Sequence, residues 1–149
     1  MKMMNKYPDS LPAAKRNLLA AAEKALANAY APYSRYRVGA AVLTAGGRIF
    51  TGCNVENASY GVTICAERVA AAAAVAAGER KFAALAVVTD DGAPAPPCGL
   101  CRQFLVEFSP DLPVLMANRR GDLLEGNLLS YLPGAFTGEF LPGKGKNKK

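Results

Sequence analysis

The sequence predicts an α/β fold, a three-layer α/β/α sandwich built on a mixed five-stranded sheet. Two observations predict it: strand-like and helix-like segments alternate along the chain, and two early strands are joined by a short turn. A strand–helix–strand connection requires parallel neighbours, whereas a hairpin requires antiparallel ones. The sheet must therefore be mixed, with helices on both faces. The length of 149 residues suits one domain, which we assign to residues 1–143.

Each element is predicted from its hydrophobic period and from the residues at its ends. Ser10 can cap the first helix, and Pro12 suits its first turn. Gly46 and Gly47 mark the turn of the hairpin, and Gly78 suits the position after the second helix. The predicted elements are a helix over about 10–29, strands over 38–44 and 48–53, a helix over 65–77, a strand over 85–89, a helix over 98–108, strands over 114–116 and 123–124, and a short helix over 128–132.

Composition and charge indicate a compact domain with no nucleic-acid partner. Apolar residues make up 51% of the chain and charged residues 20%, which argues against disorder. The formal charge of +6 comes from six lysines at the two ends, Lys2, Lys6, Lys144, Lys146, Lys148 and Lys149. Without them, twelve basic residues face twelve acidic ones. We interpret residues 144–149 as a basic, disordered tail.

The N-terminal sequence and the longest apolar run predict a cytoplasmic protein without a membrane partner. Residues 1–6 are not followed by an apolar stretch of signal-peptide length. The small apolar residues of 69–77 are too few to cross a bilayer. In such a chain, the four cysteines are expected to be metal ligands or buried thiols and not disulfides.

Three of the cysteines have the spacing of a metal site. Cys65 begins a predicted helix, and Cys98 and Cys101 lie three residues apart at the start of another, so their thiolates can meet at one metal. The positive end of each helix dipole favours the thiolate form. Three sulfurs would hold one zinc ion and leave its fourth position open for water. The chain has no histidine, so Glu67 is the predicted proton carrier for that water.

Arg68 affects the charge of the predicted zinc site, and Cys53 affects the number of its ligands. Three thiolates give the zinc cluster a formal charge of −1, and Arg68 is expected to offset part of it by hydrogen bonding to sulfur. Cys53 is either a small buried strand residue or a fourth ligand. In the second case the site would be closed, and the protein would be a non-enzymatic binding module stapled by zinc.

The sequence resembles the cytidine deaminase family in its short form with three cysteine ligands. A Cys-Ala-Glu segment followed by Pro-Cys-x-x-Cys is the signature of zinc deaminases. The matching blocks between about Tyr30 and Phe136 are 31–34 with 38–41, 52–60, 65–68, 97–103 and 132–136. The resemblance implies zinc-dependent hydrolytic deamination of cytidine and 2′-deoxycytidine to the uridines, in pyrimidine salvage.

The same resemblance implies the residues that bind substrate. Asn54 and Glu56 would hold the ribose 3′-hydroxyl, for which an amide and a carboxylate are suitable acceptors. Tyr36 stands where relatives have a phenylalanine under the base; the alternative is a strand-edge tyrosine without a substrate role. The other implied residues are Ala66 as a substrate contact, Gln103 behind the site, and Phe136, which in a homotetramer would reach a neighbouring subunit's pocket.

Alternatives remain at three points. The substrate could be another cytosine nucleoside or a nucleoside antibiotic, although the Asn54 and Glu56 pair favours ordinary nucleosides. Phe136 could instead belong to the core of its own subunit. The four-cysteine binding module is the alternative from another class of function. Editing of nucleic acid is disfavoured, because the body of the chain is neutral and has no basic, aromatic-lined channel for a strand.

Overall fold

A computed structural model of the chain describes residues 6–90 and 92–143. The predicted basic tail, residues 144–149, lies outside the described residues. The helices and strands are α1 (Ala13–Leu26), β1 (Val38–Thr44), β2 (Ile49–Cys53), α2 (Ala66–Ala76), β3 (Phe82–Thr89), α3 (Gly99–Val106), β4 (Pro113–Asn118), β5 (Leu123–Asn127) and α4 (Leu128–Tyr131), with single 3₁₀ turns at Tyr60–Val62 and Gly138–Phe140. No helix among the described residues is both long enough and apolar enough to span a bilayer.

The sheet has five strands in the order β2-β1-β3-β4-β5, and the predicted mixture of directions is confirmed. β1 pairs antiparallel with both β2 and β3, and β4 pairs antiparallel with β5. β3 and β4, which are joined through α3, form the parallel pair. Val38 at the start of β1 lies opposite Thr89 at the end of β3, and Thr89 lies opposite Asn118 at the end of β4. These three residues lie at the end of the sheet where the chain leaves β3 and continues to α3.

Helices cover both faces of the sheet, which completes the three-layer sandwich. Leu18, Leu19 and Leu26 of α1 are buried against one face with side chains of β1, β3 and β4. Alanines of α2 and Leu105 of α3 are buried against the other face. The alanine-rich sequence of α2 therefore allows close contact between the helix and the sheet.

Two strand glycines let the helices lie unusually close to the sheet. A Cβ atom at Gly39 would collide with the backbone of α1 at Ala22. A Cβ atom at Gly52 would lie 2.5 Å from the amide nitrogen of Ala70 and 2.6 Å from the carbonyl oxygen of Ala66. Gly52 thereby sets the position of the first turn of α2, which begins directly after Cys65.

The ends of several elements differ from the sequence prediction. Pro12 is the N-cap of α1 and not part of its first turn, and Ser10 does not cap the helix. Leu11 is buried and donates its amide to Pro8, so the residues before Pro12 form a turn that packs on the core. Strands β3, β4 and β5 are each longer than predicted, because their neighbours supply hydrogen bonds to residues such as Ala84, Asn118 and Gly126, whose own strand propensity is weak.

Candidate active site

Three cysteine sulfurs meet where α2 and α3 begin. Cys65 is the N-cap of α2, Cys98 is the N-cap of α3, and Cys101 lies in the first turn of α3. The Sγ atom of Cys98 is 3.7 Å from that of Cys65 and 3.6 Å from that of Cys101, and all three lie within 4.8 Å of one another. Sulfurs held tetrahedrally by zinc at about 2.3 Å lie about 3.8 Å apart. The donor set therefore fits zinc.

The local backbone explains why the sulfurs converge. Cys65 and Cys98 both have extended conformations, and neither side chain caps its helix by a hydrogen bond. The two thiols are thus directed to each other instead of to the backbone amides. The unpaired amides of both helix N-termini place positive partial charge near the cluster, which stabilises thiolates.

Cys53 does not belong to this cluster. It ends β2, where it pairs with Gly39, and it is outside the group of converging sulfurs found among residues 6–90 and 92–143. Burial raises the pKa of its thiol, which favours the neutral form. Cys53 is thus a strand residue, as predicted, but it is half-buried and not buried, and the described residues give no fourth cysteine ligand.

Hydrogen bonding within the cluster shifts the pKa values of Cys65 and Cys101 in opposite directions. The bond with Cys101 lowers the pKa of Cys65 to about 5, and Arg68 contributes in the same direction. The same bond, together with burial, raises the pKa of Cys101. Arg68 Nη2 donates to the Thr63 carbonyl at 3.2 Å and to the Cys65 sulfur at 3.9 Å. Its cation therefore lies beside the sulfur whose negative charge it can balance.

Glu67 is buried two residues after Cys65, in the first turn of α2. Only 5% of the residue is exposed. Burial raises the pKa of its carboxyl to about 7, and the negative charge of Cys65 adds to the rise. A carboxyl with a pKa near neutrality can both accept and release a proton under physiological conditions.

A cavity opens beside the cysteines and Glu67. Three of the residues expected to contact substrate line it, namely Tyr36, Asn54 and Ala66, together with Cys65, Cys98 and Glu67. The sequence interpretation missed other lining residues, namely Val38, Thr63, Val87, Thr89, Ala95 and Pro96. Thr89 could have been identified from its position, because it is the last residue of β3 and the chain leaves the sheet there towards α3.

The side chain of Asn54 holds the backbone next to this cavity by two hydrogen bonds. Its Oδ1 atom accepts from the amide of Val38 at 2.9 Å, and its Nδ2 atom donates to the carbonyl of Tyr36 at 2.8 Å. The side chain thereby holds the turn that presents the Tyr36 ring. An amide offers two donors and two acceptor lone pairs, so one of each remains for another partner.

Glu56 lies in a neighbouring cavity and does not line the one with the cysteines. This second cavity is formed with Tyr33, Ser34, Tyr60 and Thr63, and Thr63 lines both. The Glu56 carboxylate accepts from the Ser34 hydroxyl and from the amides of Tyr33 at 2.8 Å and Ser34 at 3.2 Å. The Ser34 hydroxyl bond is the largest cause that lowers the pKa of Glu56.

Phe136 and Gln103 meet away from both cavities. Gln103 Nε2 donates to the carbonyl of Phe136 at 2.8 Å, and the Phe136 ring stacks on Phe140 with 5.8 Å between centroids. Phe136 is 58% exposed and lines neither cavity. The alternative that placed this phenylalanine in the core of its own subunit is therefore wrong.

Comparisons with known proteins agree with this geometry. The family described as "Cytidine and deoxycytidylate deaminase zinc-binding region" matches residues 12–117. A cytidine deaminase of Sporosarcina psychrophila is 49% identical over 125 residues, which cover 83% of this chain and 92% of that relative. A blasticidin-S deaminase of Bacillus cereus is 29% identical over 112 residues, covering 70% and 79%.

The fold also matches solved structures. The crystal structure of cytidine deaminase from Burkholderia pseudomallei has a TM-score of 0.77 and 50% identity, covering 80% of this chain and 97% of that one. The chain therefore belongs to the cytidine and deoxycytidylate deaminase family, and its three-cysteine cluster is the binding site for one zinc ion.

Proposed function

We propose that this protein hydrolyses the exocyclic amine of cytidine and 2′-deoxycytidine, releasing ammonia and the corresponding uridines, in pyrimidine salvage. The observation that carries the proposal is the burial of Glu67 beside three converging cysteine sulfurs in a cavity that is open to a small molecule. This arrangement provides a metal site and a proton carrier next to the same space. A binding module stapled by four cysteines would have needed neither Glu67 nor an open ligand position.

Zinc and Glu67 have different roles in the proposed reaction. Zinc bound at the three cysteines supplies a Lewis acid that activates water for attack on the amidine carbon. Glu67 accepts the proton that this water loses and delivers it to N3 of the cytosine ring. The same carboxylate would then take the remaining proton of the hydroxyl added to the ring carbon and pass it to the amine, which leaves as ammonia while the carbonyl forms. A pKa of about 7 suits a group that must serve in both directions.

The two neighbouring cavities suit the two halves of a nucleoside. The cytosine ring would occupy the cavity beside Glu67, with the face of Tyr36 against it and Ala66 at its wall. The ribose would extend past Thr63, which lines both cavities, towards Glu56. Because its pKa is lowered, Glu56 remains a carboxylate and can accept from the 3′-hydroxyl, with the unused donor and acceptor of Asn54 nearby.

We also propose a cytoplasmic homotetramer whose pockets are shared between subunits. Phe136 supports this, because its ring is exposed, stacks on the exposed Phe140 and gains contacts if it enters a neighbour's cavity. Exposed Tyr60 and Val62 beside the Glu56 cavity offer an apolar surface for a partner copy. A shared pocket would make activity depend on assembly.

The function is tested by an absorbance assay of cytosine loss with a panel of substrates. The panel contains cytidine, 2′-deoxycytidine, free cytosine and blasticidin S, each with and without a strong zinc chelator. We expect turnover of the two nucleosides that ends when zinc is removed and returns when zinc is added back. Preference for blasticidin S would favour the antibiotic substrate, and no turnover of any compound by the zinc-loaded protein would overturn the proposal.

The shared pocket is tested by mixing subunits. Phe136→Ala should weaken nucleoside binding by about 1–3 kcal/mol if the ring packs on a stacked base. Co-assembly of Phe136→Ala subunits with inactive Glu67→Gln subunits should restore part of the activity, since some intact Glu67 sites regain a neighbour's Phe136. A fully active monomer in light scattering would contradict the shared pocket.

A further inference from the structure

Arg102 bridges two segments that are distant in sequence. Its Nε atom donates to the carbonyl of Pro97 at 2.7 Å, and its Nη1 atom donates to the carbonyl of Tyr131 at 2.9 Å. The guanidinium carbon also lies 5.4 Å from the centroid of the Tyr131 ring. Pro97 directly precedes Cys98. One side chain therefore connects the backbone that enters a metal ligand with the end of α4.

The loop before Cys98 is held by burial of Pro97 and by a limited set of backbone hydrogen bonds. Pro96 and Pro97 have no backbone N–H, so their carbonyls are the groups through which this stretch can form backbone hydrogen bonds. Cys98 is itself the most exposed of the three ligands, whereas Cys101 is buried and Cys65 is half-buried. Packing thus fixes the side chain of Cys98 least of the three, and the hydrogen bond to the Pro97 carbonyl adds to what holds its backbone.

The segment at the other end of the bridge is also held from α3. Gln103, the next residue, donates to the carbonyl of Phe136 at 2.8 Å. Residues 133–137 form neither helix nor strand. Two consecutive side chains of α3 therefore hold the two ends of segment 131–136, and Arg102 alone of the pair also reaches the loop of Cys98.

We propose that Arg102 is a positioning residue that couples the loop of the zinc ligand Cys98 to the C-terminal segment 131–136. The coupling needs arginine, because its planar guanidinium presents several N–H groups in fixed directions and can donate to two carbonyls at once. Lysine has a single nitrogen at the end of a flexible stem and cannot reproduce both bonds and the stacking on Tyr131. The proposal rests on zinc binding at the three cysteines, which the proposed function also requires.

The first experiment measures the half-time of zinc release to an excess of chelator, without any substrate. Loss of a partner behind a metal ligand costs roughly 10–100-fold in metal affinity. Arg102 acts on the backbone beside the ligand, so we expect release from Arg102→Gln to be about tenfold faster, with Arg102→Lys in between. The control is Arg48→Gln, since Arg48 also stacks on an aromatic ring, Phe50, and pairs with Glu79 away from the cluster. Release from the control should match the unaltered protein.

The second experiment tests the coupling from the opposite direction. Coupling between two sites is reciprocal, so removal of zinc from the unaltered protein should increase chymotrypsin cleavage after Phe136 and Phe140. Cleavage after Tyr30 and Tyr33 serves as the internal reference for general loosening of the protein. In Arg102→Gln, cleavage of the C-terminal segment should be fast whether or not zinc is bound.

The outcomes are separable from failure of the proposed function, because neither experiment requires turnover. A zinc half-time in Arg102→Gln equal to that of Arg48→Gln would overturn the positioning role. Equal acceleration of cleavage at the C-terminal and reference sites on zinc removal would overturn the coupling. If Arg102→Gln does not fold, Arg102→Lys carries the same test with its intermediate rate.

Discussion

Tyr36 and Thr89 meet in the cavity that contains Glu67, where the Thr89 hydroxyl is close enough to the phenol to oppose the rise of its pKa. Thr89 is 1% exposed and also donates to the carbonyl of Ala117 at 3.4 Å. A hydroxyl has one proton and two lone pairs, so Thr89 can hold both partners. Burial raises the pKa of Tyr36, and its phenol therefore stays neutral and able to donate. Thr89 can thus orient the aromatic ring that would lie against the base.

Loss of this contact should weaken substrate binding more than it slows the chemistry. In Thr89→Val and in Tyr36→Phe we expect KM for cytidine to rise about two- to tenfold, the cost of ordering one free side chain, with a smaller change in kcat. The double variant should be no worse than either single one, because both remove the same contact. Thr89→Ser, which keeps the hydroxyl, should stay close to the original KM.

Thr44→Val is the matched control for this cycle. Thr44 is equally buried but lies at the opposite end of β1, across from Phe82, and lines neither cavity. Its KM should not change. Additive effects of Thr89→Val and Tyr36→Phe would show that the two residues act independently.

Gly52→Ala should destabilise the fold at the first turn of α2. The added methyl would lie 2.5 Å from a backbone nitrogen of that helix, which cannot move without displacing Cys65 and Glu67. Overpacking of this kind costs about 1–3 kcal/mol or more in the free energy of unfolding, measured by urea denaturation. Gly61→Ala is the control, since a Cβ atom there meets nothing within 4 Å. Equal stability of the two variants would refute the close approach.

Glu56 should titrate at lower pH than an ordinary glutamate. Because hydrogen bonds from Ser34 lower its pKa in the folded state, their contribution is present above the ordinary value of 4.5 and is lost as the pH falls through the folded-state pKa. The Glu56 carboxyl resonance in NMR should therefore shift below pH 4.5, and Ser34→Ala should move its midpoint upwards. An unchanged midpoint in Ser34→Ala would exclude the hydroxyl as the cause.

The cysteine variants should separate ligands from the fourth thiol. Replacement of Cys65, Cys98 or Cys101 by alanine should abolish zinc binding and activity together, because two sulfurs cannot complete the site. Cys53→Ala should retain both, since its thiol lies outside the cluster. Zinc content, measured by mass spectrometry, shows which cysteines are ligands. Loss of zinc from Cys53→Ala would support a closed site with four cysteine ligands.

Local sequence signals were sufficient for the order of elements and for the metal ligands. The alternation of strands and helices, the Gly46-Gly47 turn and the Cys-x-x-Cys spacing each depend on neighbouring residues, and each prediction agrees with the structure. The start of α1 was missed because burial of Leu11, a tertiary effect, keeps the preceding residues out of the helix.

Side-chain partners across the fold could not be predicted in this way. The contact between Thr89 and Tyr36 joins the end of β3 to the residues just before β1, and Arg102 reaches 29 residues along the chain to Tyr131. Nothing in the sequence near these residues specifies which carbonyl or hydroxyl will lie opposite. The division between the Asn54 and Glu56 cavities likewise depends on how the loop folds around Thr63.

If Glu67 moves protons for a zinc-dependent hydrolysis, Glu67→Gln should retain the metal and lose the turnover. The amide is nearly isosteric, so the variant should keep its fold and one zinc ion per chain while it loses the proton carrier. General acid–base catalysis alone contributes roughly 10²–10⁴-fold, and Glu67 would serve more than one step. We therefore expect kcat for cytidine, measured on zinc-loaded Glu67→Gln, to fall by at least about 10²-fold. Near-normal kcat with full zinc content would exclude Glu67 as the proton carrier.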